Sequence, residues 1–146
     1  MNRRKFITIT CIGCMSGGLM LSVLEGCSST KIATATIEGS VMIVPLADFI
    51  TKKSDRASYK QYLVVQHEKL KYPICVFRFD ENNYEALLMR CTHQGNELQV
   101  FGDKLQCPAH GSEFNNRGDV KHGPAATALR KFPITIINNQ LKISLI

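Results

Sequence analysis

CTHQG at residues 91–95 and CPAHGSEF at residues 107–114 are the stretches that decide how this chain is read. Each brings a cysteine and a histidine close together: Cys91 with His93, and Cys107 with His110. Each pair follows a segment of strand character, YEALLMRC (84–91) and KLQC (104–107). Two such loops at the same end of a hairpin would bring four soft or borderline donors to one place. Thiolates and imidazoles select zinc, copper or iron–sulfur clusters over magnesium or calcium.

Two cysteines and two histidines also make a common structural zinc site. In the familiar finger, however, both cysteines come from one segment and both histidines from another. Here each segment supplies one of each, the order that a two-iron cluster with unlike irons needs, one taking both thiolates and the other both imidazoles. Gly95 and Gly111 permit tight turns and a close backbone approach, with their amides expected to aim at the cluster sulfurs.

Outward from these loops the chain reads as short strands with almost no helical periodicity. TATIEGSVMIVPL (34–46) is β-branched and ends at Pro45, and YKQYLVVQHE (59–68) alternates as a strand does. YPICVFRFD and YEALLMRC flank Glu81-Asn82-Asn83 as a hairpin, and ELQVF and KLQC flank Gly102-Asp103. FPITII and QLKISLI flank Asn138-Asn139, two residues tolerant of positive φ. A single helical turn is expected near Leu46–Ile50. The fold class that follows is all-β, an antiparallel sandwich or barrel carrying a small cluster-binding subdomain of two loops. Alternation along ICVFRF puts Cys75 on one face with Phe77 and Phe79, as a buried core thiol. His67 and His122 read as solvated residues and are not claimed as ligands.

Composition is that of a globular protein: 146 residues, 45% hydrophobic and 21% charged. The formal net charge of +6 falls to +4 once Arg3, Arg4, Lys5 and Glu25 are set aside with the N-terminal segment. No basic run is interleaved with aromatic residues, which argues against nucleic acid. A mildly basic surface suits anionic headgroups or an acidic redox partner.

The N-terminus reads as an address. Arg3-Arg4-Lys5-Phe6 precedes an uncharged stretch to Leu24, as in an export signal. Arg3-Arg4 followed by Phe6 resembles the twin-arginine signal, by which bacteria export proteins already folded around a cofactor. Leu24-Glu25-Gly26-Cys27 resembles a lipobox, with Cys27 the lipidated residue, although Glu25 departs from the usual pattern. The competing reading is an uncleaved anchor, since about twenty apolar residues span a bilayer. Residues 1–27 are thus assigned to the signal or anchor and residues 28–32 to a linker. Both readings place the body outside the cytoplasm, in a bacterial cell envelope on the periplasmic side, tethered to a membrane.

The paired loops resemble those of Rieske iron–sulfur proteins, and Gly123-Pro124-Ala125 looks like the proline-containing loop that packs over the cluster in that family. The resemblance covers roughly Ala33 to Ile146, so residues 33–146 are assigned to one [2Fe-2S] domain with its cluster-binding part at about 90–126. It implies that Cys91 and Cys107 hold the buried iron, and His93 and His110 the solvent-facing one. Rieske potentials span about −150 to +300 mV. High-potential members carry an extra cysteine in each loop, joined as a disulfide, where this chain has Asn96 and Ala109. They also place a serine and a tyrosine whose hydroxyls bond cluster sulfurs; Ser112 matches the serine and Phe114 replaces the tyrosine. The expected potential is low to middle in the range.

The function implied is one-electron transfer between a redox donor and acceptor. No nucleophile, acid–base pair or substrate pocket is visible in the sequence, so the chain reads as a carrier or an oxidoreductase subunit. A Rieske oxygenase would need a further large domain. A ferredoxin serving such an oxygenase would share the loops but lack the export signal. A subunit of a quinol-oxidising or arsenite-oxidase-like complex would share the signal, though such members often keep the disulfide. A zinc-binding module is the non-redox rival.

Overall fold

A computed structural model of the chain describes residues 32–53 and 56–146. The segment holding Arg3, Arg4 and Cys27, and the link from Ser28 to Lys31, lie outside the described residues. Fifteen short strands account for most of what is described: β1 (Ile32–Thr34), β2 (Thr36–Glu38), β3 (Val41–Pro45), β4 (Ile50–Lys53), β5 (Arg56–Tyr59), β6 (Tyr62–Gln66), β7 (Ile74–Arg78), β8 (Tyr84–Leu88), β9 (Gln99–Phe101), β10 (Lys104–Gln106), β11 (Glu113–Asn115), β12 (Val120–His122), β13 (Lys131–Phe132), β14 (Ile134–Ile137) and β15 (Gln140–Ser144). One 3₁₀ turn, Leu46–Phe49, stands where the helical turn is expected. The fold class is the all-β one read from the sequence.

Three layers organise the strands. The middle sheet runs in the order β1-β6-β7-β8-β13, antiparallel except for β1, which lies parallel to β6. On one side lies the sheet β14-β15-β3-β2, and on the other β12-β11-β10-β9, which carries the second cysteine–histidine loop. Alternation along the middle strands divides their side chains between two cores. Leu63, Val65, Ile74, Val76 and Ala86 pack with Met42, Val44, Phe49, Leu141 and Ile143. Val64, Cys75, Phe77 and Leu87 face the other way and pack with Cys91, Leu105, Cys107 and Phe114. A strand covered on both faces must be apolar throughout, which is why Ile74–Phe77 is buried at every position. Each fully buried large apolar side chain contributes roughly 1.5–3 kcal/mol, so the ligand loops rest on a stiff base.

Hairpins form where turn residues fall. Asn138 and Asn139 take φ of 52° and 58°, the positive values a two-residue type I′ turn demands, between the paired residues Ile137 and Gln140. The segment 34–46 is not one strand: the chain reverses at Gly39-Ser40, so β2 folds back on β3. The β4–β5 hairpin and the strands β11 and β12 are additions to the sequence reading. Ile32, placed with the linker in that reading, already belongs to β1.

Candidate metal centre

The two loops share one backbone design. Arg90 bridges Glu97 around the first, and Gln106 pairs with Glu113 around the second, so each encloses six residues. The Cys91 N–H donates to the Asn96 carbonyl at 2.8 Å, and the Cys107 N–H to the Ser112 carbonyl at 2.8 Å. The Gly95 N–H donates back to the Cys91 carbonyl at 2.9 Å, and the Gly111 N–H to the Cys107 carbonyl at 3.0 Å. Both glycines sit in the left-handed region, with φ of 79° and 77°. The expectation that their amides aim at the sulfurs is therefore corrected: closing each loop takes up both N–H groups. The histidine falls two residues after the cysteine in one loop and three in the other, yet the loops have equal length.

This geometry sorts the four donors. Cys91 and Cys107 are each 2% exposed, within one core cluster, whereas His93 and His110 are exposed. The two imidazole rings meet edge to face, with centroids 5.1 Å apart. Among the described residues no three His, Cys, Asp or Glu side chains close on one point as ligands of a single ion. Two cysteines buried in one core and two exposed, adjacent imidazoles suit a two-iron group with two thiolates on one iron and two imidazoles on the other. The donor set therefore fits the [2Fe-2S] cluster.

A third segment locks the loops together, and sequence reading reached only part of it. The Ala125 N–H donates to Ser112 Oγ at 3.0 Å, and Thr92 Oγ1 donates to the Thr127 carbonyl at 2.7 Å. The segment after the cis Gly123–Pro124 bond is thus tied to the second loop through Ser112 and to the first through Thr92. Ala125 is buried in the same core as Cys91 and Cys107. Ser112 is fully buried, and its oxygen accepts from the Ala125 N–H. Phe114, also fully buried, packs in the core below. Thr92 and Thr127 gave no signal in sequence, because their partnership spans 35 residues.

Cys75 is the third free thiol of the described residues. It is completely buried on the middle sheet, and desolvation pushes its thiol well above the ordinary range. His67 lies in the turn after β6, its Nδ1 accepting from the Lys69 N–H at 3.1 Å, and His122 is exposed on β12. Neither joins the four donors.

Known proteins match this chain in sequence and in fold. The sequence model of the Rieske [2Fe-2S] domain family matches residues 50–133. Over 56 residues the chain is 36% identical to the cytochrome b6-f complex iron-sulfur subunit 1 of Synechocystis sp., a match covering 37% of this chain and 32% of that protein. The chain thus matches about a third of that relative's length. The crystal structure of the plasma membrane Rieske protein PetC3 from Synechocystis PCC 6803 superposes with a TM-score of 0.50 at 26% identity, over 57% of this chain and 86% of that one. A chain of a hyperthermophilic respiratory Complex III shares the fold at 19% identity and a TM-score of 0.51, over 92% and 97% of the two chains.

Proposed function

We propose, from the premise that this chain belongs to the Rieske [2Fe-2S] domain family, that it is a membrane-tethered electron carrier working outside the cytoplasm. Family membership makes it a Rieske-type iron–sulfur electron-transfer protein. When bound, the cluster supplies reversible one-electron redox chemistry, at potentials raised by imidazole ligation. The protein's part is to hold, shield and expose. Cys91 and Cys107 would hold one iron from the dry core, and His93 and His110 would hold the other at the surface. Ser112 offers a sulfur its one free proton, while Ala125 and the segment after it cover the thiolates against water. The exposed imidazole edge is where a partner comes close enough to exchange an electron.

The sorting of donors by burial carries this reading: 2% exposure for both cysteines beside two exposed histidines. Electron paramagnetic resonance of the dithionite-reduced protein tests it. A rhombic mixed-ligand cluster signal is expected, and a silent, zinc-containing protein overturns it.

The tether rests on the sequence features of the N-terminus. Arg3 and Arg4 would route the folded, cluster-loaded chain outward, and Cys27 would take the lipid that holds it on the periplasmic side of the envelope. A cluster assembled in the cytoplasm gives a physical reason for export in the folded state. Labelling with a radioactive fatty acid, followed by fractionation, checks this: Cys27→Ala should lose the label, and Arg3→Lys/Arg4→Lys should leave the protein inside. Likeness to a cytochrome b6-f subunit favours service within a quinol-oxidising complex as the second reading. Asn96 and Ala109 stand against the highest-potential members of that class.

A further inference from the structure

We propose that an acidic one-electron carrier protein docks in the cleft beside His93, guided by Arg90 and Arg130; the proposal rests on the electron-transfer reading above. The cleft, of about 550 Å³, is lined by Arg90, Thr92, His93, Gln94, Thr127 and Arg130 among others, and no carboxylate lines it. Both arginines are exposed, yet both are held in place. The Arg90 guanidinium lies 5.9 Å from the centre of the Tyr72 ring, where Lys71 adds a second positive charge at 5.5 Å. Its Nε and Nη2 also come within 3.2 and 3.3 Å of the point a side chain on Gly95 would occupy, so it rests on the first ligand loop. Arg130 stacks over Phe132 at 4.8 Å and donates from Nη2 to the Leu145 carbonyl at 3.2 Å.

Among the described residues neither arginine is neutralised. The ion pairs among the described residues are Lys104–Glu113 and Lys131–Glu85, so no carboxylate takes up the charge of Arg90 or Arg130. A guanidinium fixed by ring stacking retains most of its donors, and its fork matches a carboxylate. The second loop offers no such charge: Pro108 and Ala109 are exposed and neutral, and Glu113 behind them is tied to Lys104 at 2.8 Å. The exposed ligand edge is therefore asymmetric, positive on the His93 side and neutral on the His110 side. A partner bearing carboxylates around its redox centre would be steered to the His93 side. One electron then passes between that centre and the cluster, one being oxidised as the other is reduced.

The test uses the full chain in detergent, reduced and mixed in stopped flow with acidic plastocyanin or basic cytochrome c as oxidant probes. Plastocyanin should react more slowly as salt rises, and cytochrome c should not. In Arg90→Gln/Arg130→Gln the low-salt rate with plastocyanin should fall about tenfold or more, in line with the rate gains that steering gives. Arg90→Lys/Arg130→Lys should recover much of it, and Arg78→Gln, away from this cleft, should lose nothing. A double variant as fast as the parent at low salt overturns the proposal, as does an equal loss in Arg78→Gln. Loss of binding to phosphatidylglycerol vesicles with an unchanged plastocyanin rate also overturns it, giving the cleft to lipid. Electron paramagnetic resonance on the same samples separates the two readings. A cluster signal with no salt dependence refutes only the docking, while a parent protein without the signal refutes both.

Discussion

The backbone N–H of Ala125 donates to Ser112 Oγ at 3.0 Å inside the core, joining a ligand loop to the segment that covers it. That hydroxyl accepts from the cover and, on the proposed reading, donates its own proton to a cluster sulfur. Ser112→Ala strands a buried N–H, which costs about 1–3 kcal/mol. On the proposed reading it also removes a donor to a cluster sulfur, an interaction that favours the reduced state. Losing one hydrogen bond of about 0.5–1.5 kcal/mol lowers a one-electron potential by roughly 20–60 mV. Thermal denaturation and a redox titration read the two effects separately. Lower stability at an unchanged potential would confine the hydroxyl to the clamp.

Phe114 offers the converse. It is fully buried in the core that holds Cys91 and Cys107, at the position where a tyrosine donor is expected in high-potential relatives. Phe114→Tyr should raise the potential by a similar amount, roughly 20–60 mV for one added hydrogen bond. An intact cluster whose potential does not rise would show that the ring cannot aim a hydroxyl at it.

Thr92 ties the first ligand loop to Thr127 through a 2.7 Å hydrogen bond at the surface. Thr92→Val keeps the shape and removes the donor, costing about 0.5–1.5 kcal/mol. Because the bond spans the cover rather than the core, the expected outcome is faster bleaching of the visible cluster absorbance under a chelator. Thr92→Ser should bleach at the parental rate.

Two glycines of like backbone should respond differently. Gly111 and Gly118 have φ of 77° and 81°, but a side chain at Gly111 meets open space, whereas one at Gly118 comes within 2.9 Å of Leu87 Cδ2. Gly111→Ala carries only the left-handed backbone cost, about 1–3 kcal/mol. Gly118→Ala adds displacement of a core leucine, typically a further 1–3 kcal/mol. Denaturant midpoints that ranked the two in the opposite order would contradict this packing.

Cys75 gives a dependence on pH. Burial raises its thiol pKa, so it stays neutral in the folded chain, while an unfolded thiol ionises near pH 8.5. Above that pH the unfolded state binds fewer protons than the folded one, so stability falls as pH rises, by up to about 1.4 kcal/mol per unit. Urea melts at pH 8 and pH 10 should show a steeper loss in the parent than in Cys75→Ala. Equal slopes would mean that the thiol titrates as it does in water.

Local chemistry made much of this legible in advance. Asn138-Asn139 specifies its hairpin because few residues accept two positive φ values in succession. Alternation placed Cys75 beside Phe77 in one core, as the structure has it. The four candidate donors could be named because a cysteine with a histidine two or three residues on is a short-range pattern, and both loops keep a glycine four residues after the cysteine. By contrast, strands β4, β5, β11 and β12 lie in polar segments whose composition resembles that of loops. They become strands only because neighbouring backbone supplies their partners.

By itself, then, the sequence determined the all-β class and the family and named four candidate donors, since each depends on residues near one another along the chain. The tertiary structure decided how the donors divide. Cys91 and Cys107 enter one core because the middle sheet is covered on both faces, while loops of equal length leave His93 and His110 at the surface. It also decided that Ser112 and Thr92 grip a common cover, and that Arg90 and Arg130 border the cleft beside His93. The two hydrogen bonds join residues 13 and 35 positions apart. Their geometry is set by strand pairing and packing, which no local pattern encodes.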